Sequence, residues 1–596
     1  MTVNDKINAL RKLMFEKGIS AYIIPSTDPH ISEYVAAYWQ SRSWVSGFTG
    51  SVATVVITDS EAGLWTDGRY FLQADEQLVG TEIKTFKLGL EGVPDYPQWL
   101  NNKFKAGDII GFDGKVFPVN TVKKMISTFK LNGIEINSDI DLIDELWEER
   151  PSMPKGKIFE IGTEFTGMSR KEKINDIRLS LDEKNCDYTL LCSLDDICWT
   201  FNIRGYDVPF NPVLISFALI SKTDAILYVD KNKLPDGLEL TFNSENIIIK
   251  EYNEVENDIK YLDTNKTNNN NLFIDPVRSN YWLYMSVPSS FNIVEGINIS
   301  THLKSIKNNK ELNGVKDAMR KDCIAMIENW MWMEENISGG KLTELSVMDY
   351  LETCRAKQDK YYGLSFNTIA GMAEHGAIIH YGSTKETSIG ITDKTFFLLD
   401  SGAQYYDGTT DITRTFHFGE PSDEEKTDYT QVLKGHIDLS MAKFPVGTRG
   451  SQLDILARKH LWDSFKQYHH GTGHGVGCFM NVHEGPQSIR MDENATPLKA
   501  GMIVSNEPGL YRDNKYGIRI ENLIAVKESQ ESEFSKFLEF ENLTLCPIGI
   551  NAIKKELMSQ TQITWLNSYH KKVYDEVSPL CNESQISWLK EKTRAI

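Results

Sequence analysis

The chain has 596 residues, of which 41% are hydrophobic and 25% charged, and its formal net charge is −19. That length exceeds what one hydrophobic core organises and calls for roughly two to four domains. The acidic balance argues against nucleic acid and against an anionic membrane as the main partner, because both select basic surfaces.

From the N-terminus, residues 1–18 distribute Asp5, Lys6, Arg11, Lys12 and Glu16 through an amphipathic pattern, in place of the apolar run of a signal peptide. No apolar stretch reaches the ~20 residues that cross a bilayer. Eight cysteines stand singly, with no Cys-x-x-Cys spacing, as in a reducing compartment. The expected location is cytoplasmic.

An internal repeat is the first organising feature. Residues 6–28 (KINALRKLMFEKGISAYIIPSTD) align without gaps on residues 173–195 (KINDIRLSLDEKNCDYTLLCSLD), with eight identities. Each copy reads as an amphipathic helix, a polar break and a short apolar strand ending at Asp28 or Asp195, which predicts duplicated α/β domains. A polar, proline-punctuated linker follows at Glu148 to Gly156 (EERPSMPKG), and a second junction lies near Lys307 to Lys310, before a helical stretch through Met319, Met326 and Trp330. The expected domains are therefore 1–153, 154–308 and 309–596. Asn268 to Asn271 predicts a solvated loop inside the second. The third should open with helices, continue as strand-and-turn sequence from 361 to 550, and close on a helical tail bearing Trp565, Tyr569 and Trp588.

Nine of the twelve histidines fall between His375 and His483, which places the chemistry in the third domain. In Thr395 to Gly419 (TFFLLDSGAQYYDGTTDITRTFHFG) an apolar strand ends at Asp400, Asp407-Gly408 turns, and a return strand starts at Asp411. Alternation puts Asp411, Thr413 and Thr415 on one face. The hairpin brings Asp400 and Asp411 together, and two ionised carboxylates that close repel unless a cation lies between them. For Asp407 the plainer reading, a turn cap or a solvent-facing acid, is preferred. His470-Gly471-Thr472-Gly473-His474-Gly475-Val476-Gly477 has too many glycines for a helix and lets backbone pass close to a neighbour, with an imidazole at each end. Asn481-Val482-His483-Glu484 adds another. Residues 503–526 (IVSNEPGLYRDNKYGIRIENLIAV) read as two strands around a turn at Asp513 to Gly517, one offering Glu507 and the other Glu521. Arg519 shares a face with Glu521, and a salt bridge from Arg519 to an acid is the competing structural account. Two aspartates, one histidine and two glutamates are hard or borderline ligands. They suit a pair of Mn²⁺, Co²⁺ or Zn²⁺ ions and metal-assisted hydrolysis.

Taken in order, Asp400, Asp411, His474, Glu507 and Glu521, in the contexts LLDSGAQYYDGTTDITRT, HGTGHGVG, NEPGLY and GIRIEN, resemble the pita-bread metallopeptidases. YIIPSTDPHISEY, SGFTGS, LWTDGRYFLQA, FNIRGYDVPFNPV, GAIIHY and VLKGHI narrow the resemblance to the cytosolic, three-domain Xaa-Pro aminopeptidases over essentially the whole chain. The resemblance implies an α/β (α+β) fold, with two related creatinase-like N-terminal domains and a pita-bread catalytic domain. It implies two divalent metal ions, Mn²⁺ first, with Zn²⁺ or Co²⁺ as alternatives. Asp400 would bind one ion through both oxygens, Asp411 and Glu521 would bridge the two, and His474 and Glu507 would complete the other shell. His380 (in IIHY), His470 and His483 match histidines that position substrate and stabilise the tetrahedral intermediate, and Arg519 matches an arginine that supports a metal-binding aspartate. A hydroxide between the metals would attack the carbonyl of residue one in peptides with proline at position two, with Glu507 shuttling the proton. A homodimer is also implied. The sequence departs from the family at Gly382-Ser383 and at Ser505-Asn506, beside candidate site residues but at none of them. The competing readings are a prolidase restricted to dipeptides, a creatinase-like hydrolase, and a binding module that has lost its ligands. The last two conflict with five intact ligands.

Overall fold

The computed structural model describes residues 1–262 and 269–596. It forms two compact units, residues 1–162 with 168–302, and residues 163–167 with 303–596.

The first unit carries two six-stranded mixed sheets of one design. Helix Val3–Glu16 starts from a Thr2–Asp5 capping box and buries Ile7, Leu10 and Met14. Helix Arg170–Glu183 starts from a Ser169–Glu172 box and buries Ile174, Ile177 and Leu181. Each feeds a fully buried strand, Ala21–Ile24 or Tyr188–Leu191. The first sheet runs Ile83–Lys87, Ala62–Thr66, Thr54–Thr58, Ala21–Ile24, Ile109–Gly111, Glu135–Asn137. The second runs Ile247–Lys250, Ala225–Tyr228, Phe217–Ser221, Tyr188–Leu191, Asn271–Ile274, Asn292–Glu295. Their directions match strand for strand: both central strands are antiparallel to the neighbour on one side and parallel to the neighbour on the other. The duplication read from the sequence therefore holds at the level of topology. Both strands stop short of the repeated aspartates, which serve different ends. Asp28 accepts the backbone N–H groups of His30 (2.9 Å) and Ser32 (3.0 Å) in a loop, whereas Asp195 lies in the first turn of helix Leu194–Phe201.

No helix or strand interrupts the linker between Leu146 and Phe159. Of the expected asparagine loop, Asn268 lies outside the described residues, and Asn271 begins a strand, because its backbone pairs with Asn292.

In the second unit the long helix Asn309–Asn336, capped by an Asn308–Glu311 box, buries Val315, Met319, Cys323, Met326, Trp330 and Met333 at helical spacing. Two three-stranded sheets, a six-stranded sheet and a two-stranded hairpin follow. The six-stranded sheet runs Lys443–Pro445, Lys536–Asn542, Asn522–Glu531, Ile503–Asn506, Gly473–Gly475, Glu484–Ile489. The expectation of strand and turn throughout 361–550 fails at two helices, Asp423–Ser440 and Gly450–Trp462. They form because they pack on one another. A Cβ at Gly435 would stand 2.1 Å from the Ala457 carbonyl, so the glycine that weakens the helical pattern is the point where the two backbones meet. The C-terminal helices Gln560–Val577 and Glu583–Lys592 pack onto their own unit: Trp565 and Trp588 lie against its core and Tyr569 is inside it.

Candidate metal centre

Five short segments of the second unit deliver the five predicted ligands. Strand Phe397–Ser401 pairs antiparallel with Ile412–Phe416, setting Asp400 opposite Thr413 and placing Asp411 at the mouth of the return strand. Strand Gly473–Gly475 carries His474 and threads between two neighbours. A Cβ at Gly473 would stand 1.9 Å from the Ser505 carbonyl, and one at Gly475 would stand 2.1 Å from the Glu484 carbonyl. The glycines thus bring three backbones close enough to present one imidazole. Residues 503–526 form four strands where the sequence reading had two. Ile503–Asn506 breaks before Pro508, and Tyr516–Arg519 breaks before Asn522. Glu507 and Glu521 occupy those breaks, with their backbone N–H groups donated across to Thr472 (2.8 Å) and Thr413 (3.1 Å). A carboxylate in a break leaves the ladder and turns inward.

Ligand atoms of Asp411, His474 and Glu521 all lie within 4.8 Å of one another. His474 donates Nδ1–H to the Gly475 carbonyl at 2.9 Å, which directs Nε2 toward Asp411 Oδ2 (3.5 Å) and Glu507 Oε1 (3.6 Å). Asp400 takes Arg519 Nη2–H on Oδ2 at 2.6 Å, while its buried Oδ1 has no hydrogen-bond partner. Thr413 Oγ1 donates to Glu521 (2.8 Å) and lies 3.1 Å from Arg519 Nε. The expected Arg519–acid salt bridge is therefore present, to Asp400.

The charges do not balance. Asp400, Asp411, Glu507 and Glu521 face one guanidinium. Burial, then repulsion from Glu521, Asp400 and Glu507, lifts the Asp411 carboxyl well above its usual range. Burial, then Glu521, does the same to Glu507. Burial, then Asp400, pushes Glu521 up to about 7. Hard oxygen donors with surplus negative charge, a buried unpartnered carboxylate oxygen and an imidazole aimed inward fit a pair of divalent cations.

His470 sits beside this cluster. Its Nδ1 faces the Gly471 carbonyl at 2.8 Å and so carries the proton, and its Nε2 accepts from the Tyr511 hydroxyl at 2.8 Å. Tyr511 in turn accepts from Arg519 Nη1 at 2.8 Å. Burial, then Arg519, holds the His470 pKa well below the usual imidazole value, with Arg458 and His380 contributing. His380 is therefore near enough to His470 to be felt electrostatically. His483 stands edge-on to His474, with ring centroids 4.4 Å apart. Asp407 is elsewhere and is not a turn cap or a solvent-facing acid: it is buried and bound by Lys321 (2.8 Å) and Lys360 (3.0 Å).

Tyr511, which joins His470 to Arg519, was missed from the sequence. The hairpin held the signal: Tyr511 pairs with Gly517, so Arg519, two residues on, shares its face.

Known proteins place this arrangement. Residues 313–528 match metallopeptidase family M24, and 536–596 match the C-terminal region of that peptidase family. Residues 6–145 and 149–311 each match a creatinase/prolidase N-terminal domain. Xaa-Pro aminopeptidase 1 of Dictyostelium discoideum is 39% identical over 100% of this chain and 97% of its own length. The chain belongs to the M24 Xaa-Pro aminopeptidases. A probable Xaa-Pro aminopeptidase P of Aspergillus niger is 38% identical over 100% of this chain and 99% of its own. The solved X-prolyl aminopeptidase of Caenorhabditis elegans, a cytosolic enzyme with a di-nuclear active site, superposes with a TM-score of 0.96 at 36% identity, with both chains covered completely. Within this family the two N-terminal sheets are the creatinase-type domains and the second unit carries the pita-bread fold.

Proposed function

We propose that the protein removes the first residue from peptides whose second residue is proline, using two divalent cations held by Asp400, Asp411, His474, Glu507 and Glu521. The convergence of five ligand side chains on one over-acidic cluster carries this reading. Full-length likeness to Xaa-Pro aminopeptidases supplies the substrate class. Two divalent cations bound there would supply a lowered pKa for water and Lewis-acid polarisation of the carbonyl of residue one. Glu507 takes the proton from the attacking water and delivers it to the departing proline nitrogen; burial and the neighbouring Glu521 raise its carboxyl above the usual range. His380 and His483 stabilise the developing oxyanion and orient substrate. His470, neutral and engaged at both nitrogens, fixes Tyr511 and the wall beside it. Arg519 holds Asp400 in its ligand rotamer.

Mn²⁺ is the preferred metal on this reading, with Zn²⁺ or Co²⁺ as alternatives, and a homodimer is the working assembly. The domains are read as 1–153, 154–308 and 309–596, a division supported to within a few residues by the family matches at 6–145, 149–311 and 313–528. A cytoplasmic location is supported by eight free cysteines and by the cytosolic nematode relative. Among the described residues, no helix is long and apolar enough to cross a membrane.

The test takes chelator-stripped protein resupplied with Mn²⁺ and follows Arg-Pro-Pro, Arg-Pro and Arg-Ala-Ala by mass spectrometry. Metal-dependent release of arginine from Arg-Pro-Pro, and not from Arg-Ala-Ala, is expected. Cleavage of the dipeptide alone would make the enzyme a prolidase. Sedimentation showing only monomer would remove the dimer.

A further inference from the structure

Glu344, the first residue of helix Glu344–Ala356, is fully buried in the second unit and belongs to none of the machinery above. Its carboxylate collects donors from both ends of one irregular segment. Oε1 accepts the backbone N–H of Met372 and faces His375 Nδ1, each at 2.9 Å. Oε2 accepts the backbone N–H of Ile389 at 3.1 Å and is reached by the hydroxyls of Tyr381 (3.2 Å) and Ser383 (3.3 Å). Between Met372 and Ile389 the only regular structure is a short 3₁₀ turn, Ala373–Ala377. The segment enters that turn through Ala373 at φ 53°, which an alanine adopts only when its surroundings impose it. His375 and Tyr381 stack with centroids 4.3 Å apart, and Tyr381 packs with Ile369 and Leu398, which lie on the strands that frame Asp400. His380 sits immediately before Tyr381.

We propose that Glu344 is the positioning residue for His380: one buried carboxylate pins the loop before, beside and after the histidine, fixing where its imidazole meets the substrate carbonyl. The proposal rests on the reading of His380 as a substrate-contacting group. A carboxylate is needed because both oxygens face backbone N–H groups, which cannot turn into acceptors. A glutamine side chain, in either orientation, sets its own NH₂ against Met372 or Ile389.

The test is a double-mutant cycle on the Mn²⁺-loaded enzyme with Arg-Pro-Pro, measuring kcat and KM for the parent, Glu344→Gln, His380→Ala and the double variant. Glu344→Gln is expected to lower kcat/KM about 10- to 100-fold when His380 is present, and less than about twofold when it is absent, with two metals per chain retained. Equal losses in both backgrounds would reduce Glu344 to a fold-stabilising residue and overturn the proposal, as would no loss with His380 present. If Glu344→Gln fails to fold, the same cycle is run with Tyr381→Phe, which removes one clamp contact from the flank of His380, and the same non-additivity is required. If His380→Ala leaves kcat/KM unchanged, the role of His380 is wrong and the clamp falls with it. That outcome is distinct from one in which His380→Ala is crippled and Glu344→Gln is not.

Discussion

Buried charge in the first unit and at the candidate metal centre of the second is handled in opposite ways. In the first, Lys233 pairs with Asp207 at 2.6 Å, with side chains 3% and 0% exposed. Asp196 receives Asn298 (2.9 Å) and Thr301 (2.8 Å). In the second unit, Asp322 and Arg355 follow the same rule at 2.8 Å, but a few strands away four carboxylates share one arginine. A buried charge that is balanced contributes little beyond its own desolvation cost. One left unbalanced marks a place where a cation from outside completes the structure.

Removing a ligand should sharpen that contrast most. Asp411→Ala is expected to lose bound metal and to lower kcat/KM on the order of 10³-fold, several kcal/mol of transition-state stabilisation. The metal-free variant should melt no lower than the metal-free parent, since a repelling carboxylate has gone. Elemental analysis beside calorimetry decides it, and a variant that keeps both metals breaks the comparison. The balanced pair should behave in reverse. Lys233→Met leaves buried Asp207 with the Ile215 N–H on the same oxygen but no counter-ion, and should cost the first unit about 3 kcal/mol in urea denaturation, part of it recovered by adding Asp207→Asn, which removes the charge and keeps an acceptor for that N–H. Arg519→Lys comes next, with kcat/KM and metal affinity down about 10- to 100-fold. A lysine cannot span Asp400, Tyr511 and Thr413 as the planar guanidinium does.

The smallest effect concerns pH. Burial, then Asp141, pushes Asp113 up to about 6. Between about pH 4 and 6 the folded chain keeps a proton that the unfolded chain has released, so stability falls as pH rises through that window. Asp113→Asn should therefore raise the melting temperature by about 2 °C at pH 8 and leave it unchanged at pH 4. A gain at pH 4 would show that the charge is not responsible.

Much of this was legible in the sequence, for reasons that differ from element to element. The duplicated sheets were readable because helix periodicity and a buried strand recur in register within each copy. The ligands were readable because glycines and acids in apolar strands are costly and so carry information. Helices Asp423–Ser440 and Gly450–Trp462 were not, because Gly435 weakens the local pattern and pays off only against Ala457. Asp407 was misjudged because its partners, Lys321 and Lys360, are remote in sequence. Glu344 was invisible for the same reason: at the start of a helix an acid reads as an ordinary favourable charge, and its donors lie 28 to 45 residues downstream.

The hairpin formed by Gly509–Arg512 and Tyr516–Arg519 has a solvent-facing tip at Asp513, Asn514 and Lys515, and a stem whose Tyr511 and Arg519 touch the cluster. That makes it a natural transducer. A fluorophore attached through Asp513→Cys would sit in water while its stem is bonded to Asp400, one of the proposed ligands, so loading of the centre would be read at the surface without a reporter in the substrate path.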